Sequence, residues 1–266
     1  MYIRNFSILI LFSLIFSACE NSTDVSIDLP YTEYTVINAQ LSANKIFDGV
    51  TITHTLPLGT QFDIKKAEIK DAVAYILENG TRVIPLHYDS DGLYKPVSSV
   101  GIDAGKQYEF FAEIGSKSIY SKTVVPEIPV VVQVTNANNE YLSAMVKANP
   151  GEAYGAAWII SGNSGDPAQR ADDFHSIETT DHFPSDVLVR TKNIPAPYNT
   201  PAFSNSFYIQ VYAFDKAYKD YFLTKTGANQ IDNTFTSGGG TVTWNVYGEN
   251  VIGLFIGKAE GSAVHP

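Results

Sequence analysis

From Tyr31 onward the chain is written in short runs of Val, Ile, Tyr, Phe and Thr separated by turn residues, and helical periodicity is nearly absent. Many such runs in one chain predict an all-β sandwich, because β-branched and aromatic side chains suit a pleated, half-buried surface. The sharpest local case is Ala72 to Glu78 meeting Thr81 to Leu86 across Asn79-Gly80. Both turn residues have ready access to positive φ, which predicts a two-residue type I′ hairpin. Pro85 cannot donate to a ladder, so the second strand is expected to leave the sheet or lie at its edge there.

A second hairpin follows. Tyr108, Phe110, Ala112 and Ile114 alternate onto one face, with Glu109 and Glu113 opposite, and the chain returns after Gly115-Ser116 through Ile119, Ser121, Thr123 and Val125. Val125-Pro126-Glu127-Ile128-Pro129 then reads as a stiff extended connector, since two prolines fix φ and remove donors. The boundary between an N-terminal sandwich (31–126) and a second β-rich domain (127–266) is placed there. In that second part the strand candidates are 130–134, 141–147, 153–161, 207–214, 241–246 and 251–256. A long Gly-, Asp-, Pro-, Asn- and Ser-rich stretch, 162–205, interrupts them and is expected to be either functional or mobile. One short helix is expected from Asp215 as N-cap, with Tyr218, Tyr221 and Phe222 at the spacing of a buried stripe and Gly227 ending it. Trp158 and Trp244 fall in strand candidates and are assigned to the core.

The first residues carry a different signal. Phe6 to Phe16 is an apolar run broken only by Ser7 and Ser13, preceded by Arg4 and followed by the small residues Ser17 and Ala18. That is a charged n-region, a short h-region and a cleavage site; a spanning helix would need roughly 20 apolar residues. Cys19 follows directly and is the only cysteine, so no internal disulfide can form and stability must come from packing. Residues 1–18 read as a signal peptide and 19–30 as a polar leash. Removing 1–18 leaves 17 Lys and Arg against 28 Asp and Glu, a net charge of −11. Such a surface repels nucleic acid, which is not expected as a partner.

Phe16-Ser17-Ala18-Cys19 resembles the bacterial lipobox, which implies acylation of Cys19 as the lipidated N-terminus. The lipobox, Tyr34 to Gln40, the hairpin around Asn79-Gly80, Ala104 to Phe110 and Thr123 to Pro126 together resemble a Bacteroidetes outer-membrane lipoprotein family of uncharacterised function. Tyr218-Lys219-Asp220-Tyr221 and Asn245 to Gly248 followed by Gly253 to Gly257 are similar to its C-terminal motifs. The likeness covers roughly 19–130 and 206–257 and leaves the long loop outside. It implies an immunoglobulin- or transthyretin-like sandwich followed by a second sandwich-like domain with one short helix. It also implies an outer-membrane, lipid-anchored protein whose partner is a TonB-dependent receptor, surface-exposed or facing the periplasm.

No catalytic motif stands out. The densest set of chemistry-bearing residues is 172–182, where His175 and His182 lie among four carboxylates; the metal-ligand candidates are His175, His182, Asp172 and Glu178. Their spacing fits no fixed metal motif, and a solvated acidic loop is the simpler account. His54, His87 and His265 are isolated. Asp89-Ser90-Asp91-Gly92 lacks the closing Glu of a calcium loop and reads as a turn. Ser237 to Gly240 lacks the Lys-Ser/Thr of a phosphate loop, and Gly162 to Gly165 is no nucleophile elbow. The expected protein is a non-enzymatic binding or accessory lipoprotein active in nutrient capture, with no cofactor beyond the lipid on Cys19. The alternatives are a structural or adhesive surface module, or a metal-binding protein or metal-dependent hydrolase. The ligand is not legible.

Overall fold

The computed structural model describes residues 31–57, 59–161, 169–180, 182–225 and 242–266. The leader, the leash and Cys19 lie outside the described residues, as do 162–165, Asp181, Gly227, 237–240 and the first residue of the strand expected at 241–246. Residues 33–266 form one compact unit, which is all-β and sandwich-like.

The first half contains β1 (Thr35–Ser42), β2 (Lys45–Ile46), β3 (Val50–His54), a one-turn helix α1 (Ile64–Ala67), β4 (Val73–Glu78), β5 (Arg82–Ser90), β6 (Leu93–Pro96), β7 (Gly101–Ile102), β8 (Gln107–Ile114) and β9 (Lys117–Val124). The second holds β10 (Val130–Ala137), β11 (Tyr141–Ala148), β12 (Glu152–Ile160), β13 (Gln169–Arg170), β14 (Glu178–Thr179), β15 (Ser185–Arg190), β16 (Phe207–Asp215), helix α2 (Ala217–Lys225), β17 (Val246–Tyr247) and β18 (Val251–Glu260).

Strand alternation follows the sequence closely. Thr35, Ile37, Ala39 and Leu41 of β1 are buried, as are Tyr108, Phe110 and Ala112 of β8. Asn79 and Gly80 both have positive φ (48° and 68°), and the Thr81 N–H donates to the Glu78 carbonyl at 3.1 Å. The paired residues are Glu78 and Arg82, however, so Thr81 is an extra residue and the loop has three residues where two were expected. β5 also stays inside the sheet at Pro85: it pairs with β4 over 82–86 and with β6 over 86–90. Pro85 sits where β6 ends, and its carbonyl accepts from Val97. The missing donor is therefore harmless. Asp91 and Gly92, both at positive φ, make the expected tight turn between β5 and β6.

One sheet runs β13-β12-β16-β18-β1-β3-β6-β5-β4-β8-β9-β17, with β14 alongside β12. All its pairings are antiparallel except β1–β18. The closing strand β18 thus lies between β1 and β16 and belongs to both halves, although the Pro126–Pro129 connector separates them in sequence. At the other end the sheet curls back, and the Gly257 N–H of β18 donates to the Thr123 hydroxyl of β9 at 2.8 Å. Phe110 stacks on Phe255 inside this turn, with ring centroids 5.6 Å apart. A second sheet, β10-β11-β15, covers one face of β12 and β16. The expected strand at 241–246 is largely absent among the described residues. Only Val246–Tyr247 pairs, against β9, and Trp244 lies outside any strand, half-buried against Tyr221. Trp158 is buried, as expected.

Candidate functional site

β12 reads Glu-Ala-Tyr-Gly-Ala-Ala-Trp-Ile-Ile and is buried on both faces almost throughout. Strands covered on two sides lose the polar alternation of a half-wet strand. Tyr154, Ala156 and Trp158 face one way; Gly155 and Ala157 face the other. On that second side β12, β16 and β18 place Gly155, Tyr212 and Glu260 in register across three strands, with Ala153, Phe214 and Lys258 beside them.

Two pieces of chain cover this face. One is α2, whose start is set by the Asp215 carboxylate accepting the Ala217 N–H at 2.9 Å. Tyr218 of α2 stacks on Phe214 at 4.1 Å, and Phe222 is buried below it. The second piece comes from the long 162–205 stretch, where Phe174 meets Tyr212 and Phe214 edge-on at 5.4 and 5.6 Å. Gly155 makes room for this: a Cβ there would lie 2.7 Å from Ile177 and 2.9 Å from Phe174.

Between these parts lies an open cleft of about 350 Å³. Its apolar wall is Ala157, Phe174, Tyr212 and Tyr218; its charged rim is Arg170, Asp172, Asp173, Lys225 and Lys258. Lys225 pairs with Asp173 at 3.3 Å. Lys258 pairs with Glu260 at 3.0 Å and rides over the Tyr212 ring at 4.8 Å. Asp172, 90% exposed at its side chain, reaches outward to Lys192 at 3.2 Å, and that hydrogen bond holds its carboxyl below the usual range. Burial, and next the Asp173 charge, push the Tyr218 phenol up, so its hydroxyl stays protonated and available to donate.

Among the described residues, those predicted for metal binding do not gather into a site. β13 pairs with Ile159–Ile160 and β14 with Ala153–Tyr154, so the chain between them runs along most of β12. The positions opposite Arg170 and Glu178, Ile159 and Tyr154, are five strand residues or about 17 Å apart, so the two ends of this stretch lie well separated. His175 and His182 are exposed, and among the described residues no three His, Cys, Asp or Glu side chains converge as a metal site. What the stretch brings to the cleft is its neighbours Arg170 and Phe174. Sequence reading missed both, as it missed Tyr212, Lys225 and Lys258. The one available signal was Lys258, which with Glu260 places charge at the end of an otherwise apolar strand.

The family model for the domain of unknown function DUF4249 matches residues 22–263. The chain belongs to the DUF4249 family. The match spans 162–205, so the long stretch left outside the likeness falls within the bounds of the DUF4249 domain. No curated protein matches the chain. Among the described residues of this DUF4249 chain, no helix is long and apolar enough to cross a membrane.

Proposed function

We propose that this chain is a lipid-tethered accessory protein of a bacterial outer membrane that captures a small ligand and works beside a TonB-dependent receptor. The observation that carries the binding part is the path of Arg170 to Phe174. A stretch without regular packing would be expected to wander over the surface; this one folds back to wall a cleft, the usual form of a recognition loop on a rigid scaffold. The tether rests on the apolar run 6–16 and the single cysteine behind Ser17-Ala18. Each buried methylene contributes about 0.8 kcal/mol, so several acyl chains hold a protein durably where one does not. The role is binding and not catalysis.

Mass spectrometry of the membrane-extracted protein tests the tether. Acyl mass on an N-terminal Cys19 is the expected result, and a free thiol or an intact leader refutes it. Extraction in mild detergent followed by identification of co-purifying proteins tests the partnership; an outer-membrane barrel is expected, and its repeated absence counts against the receptor.

One observation favours a second reading, a surface module that presents a sheet face. Tyr75, Phe111, Tyr120 and Tyr247 stand in register on β4, β8, β9 and β17, with successive ring centroids of the first three 5.0 and 5.1 Å apart. Tyr247 is exposed, as are Val73 and Val83 beside the row. If this face is the working surface, Tyr75→Ser and Tyr247→Ser abolish attachment to cells or matrix while cleft variants do not.

A further inference from the structure

We infer that the cleft beside β12, β16 and β18 takes a small organic carboxylate, its acid group held by Arg170 and its apolar body lying against Phe174 and Ala157. This deepens the reading of the cleft as the recognition site and rests on it. Three observations lead there. The first is charge. The chain carries a net charge of −10, yet the lining of the cleft sets three cations (Arg170, Lys225 and Lys258) against two carboxylates (Asp172 and Asp173), leaving one positive charge. Low-dielectric walls focus such a field on an incoming anion.

The second observation is which cation is unspent. Lys225 and Lys258 are each neutralised by a carboxylate within 3.3 Å. Arg170 makes no ion pair with a described residue, and its guanidinium is a planar fork matched to two oxygens. The Tyr218 hydroxyl, also on the cleft, has no hydrogen-bond partner among the described residues. One guanidinium and one hydroxyl, each without a partner among the described residues, answer a monoanion. A phosphate dianion would need a second uncompensated cation.

The third is size and lining. A volume of about 350 Å³ lies at the small end of ligand pockets and suits a compact ligand. Phe174 and Ala157 supply apolar contact for a compact body beside the charged rim.

The test is calorimetric titration of the detergent-solubilised full chain with benzoate, phenylacetate, benzyl alcohol, benzylamine and inorganic phosphate. The carboxylates are expected to bind, more weakly as salt is raised. Arg170 sits on the exposed two-residue strand β13, so Arg170→Ala should fold, with circular dichroism as the check. It is expected to lower carboxylate affinity by about tenfold or more, and Arg170→Lys by less, because an ammonium cannot reproduce the fork. Benzyl alcohol or benzylamine binding as tightly as benzoate, with Arg170→Ala silent, overturns the carboxylate assignment while leaving the cleft a ligand site. Phosphate binding in preference to benzoate overturns it in the same way. No heat with any probe, in a folded protein, overturns both the assignment and the cleft as a recognition site.

Discussion

Gly253 lies against Ile37 across the parallel β1–β18 pair so closely that a Cβ on Gly253 would stand 1.8 Å from the Ile37 carbonyl oxygen. Its φ of +134° is also one that L side chains rarely adopt. Gly253→Ala must therefore part the strand that joins the two halves, and a loss of at least ~3 kcal/mol is expected in urea unfolding. Gly101→Ala serves as the control: nothing lies within 4 Å of its Cβ position, and little change is expected.

Gly155→Val replaces the space that Phe174 and Ile177 occupy. Phe174 must swing away from Tyr212 and Phe214. A loss of roughly 2 kcal/mol is expected, as for an overpacked core. Carboxylate binding should fall with it, and a near-ultraviolet circular dichroism spectrum should show the broken ring cluster.

The carboxylate of Asp215 accepts from the Val124 N–H at 2.8 Å, the Thr123 hydroxyl at 3.0 Å and the Ala217 N–H at 2.9 Å. It caps α2 and ties the helix to β9 in one act. Asp215→Ala strands two backbone donors and should cost roughly 2 kcal/mol in chemical unfolding; Asp215→Asn, which keeps one acceptor oxygen, should cost less.

Glu260 predicts a pH dependence. Burial alone would raise its carboxyl, but hydrogen bonds from Lys45 (2.5 Å) and Lys258 (3.0 Å) outweigh it and hold the group below the usual carboxylate range. A pKa depressed by folding contributes stability above the unfolded value of about 4.3, and the contribution disappears as pH falls through the folded value. Wild type should therefore exceed Glu260→Gln in stability at neutral pH, and the gap should narrow steadily on acidification below about pH 4. A gap independent of pH would refute the linkage.

Phe111 sits between Tyr75 and Tyr120 on the outer face of the first sheet. Phe111→Ala removes two ring contacts without opening the core, so about 1–2 kcal/mol is expected, read as a lower melting temperature.

Much of the fold was readable because a strand announces itself locally. The two-residue period of β8 and β9, the Asn79-Gly80 and Asp91-Gly92 turns and the Asp215 cap each depend on a few neighbouring residues, and all appear. Errors arose where one residue changes the register, as Thr81 does, or where distant chain settles the outcome, as at 241–246 and Pro85.

By itself the sequence determined that this protein is a disulfide-free, acidic, all-β chain, because composition, a lone cysteine and side-chain periodicity are properties of neighbours along the chain. Only the tertiary structure decided that β18 would stand between β1 and β16, and that Arg170, Phe174, Tyr212, Tyr218 and Lys258 would share one cleft. Those residues come from three separated segments (170–174, 212–218 and 258), and parallel pairing over more than two hundred residues leaves no local trace. Their meeting is fixed by close backbone approach at Gly253 and Gly155, where the absence of a side chain has meaning only once the partner strand and the covering chain are in place.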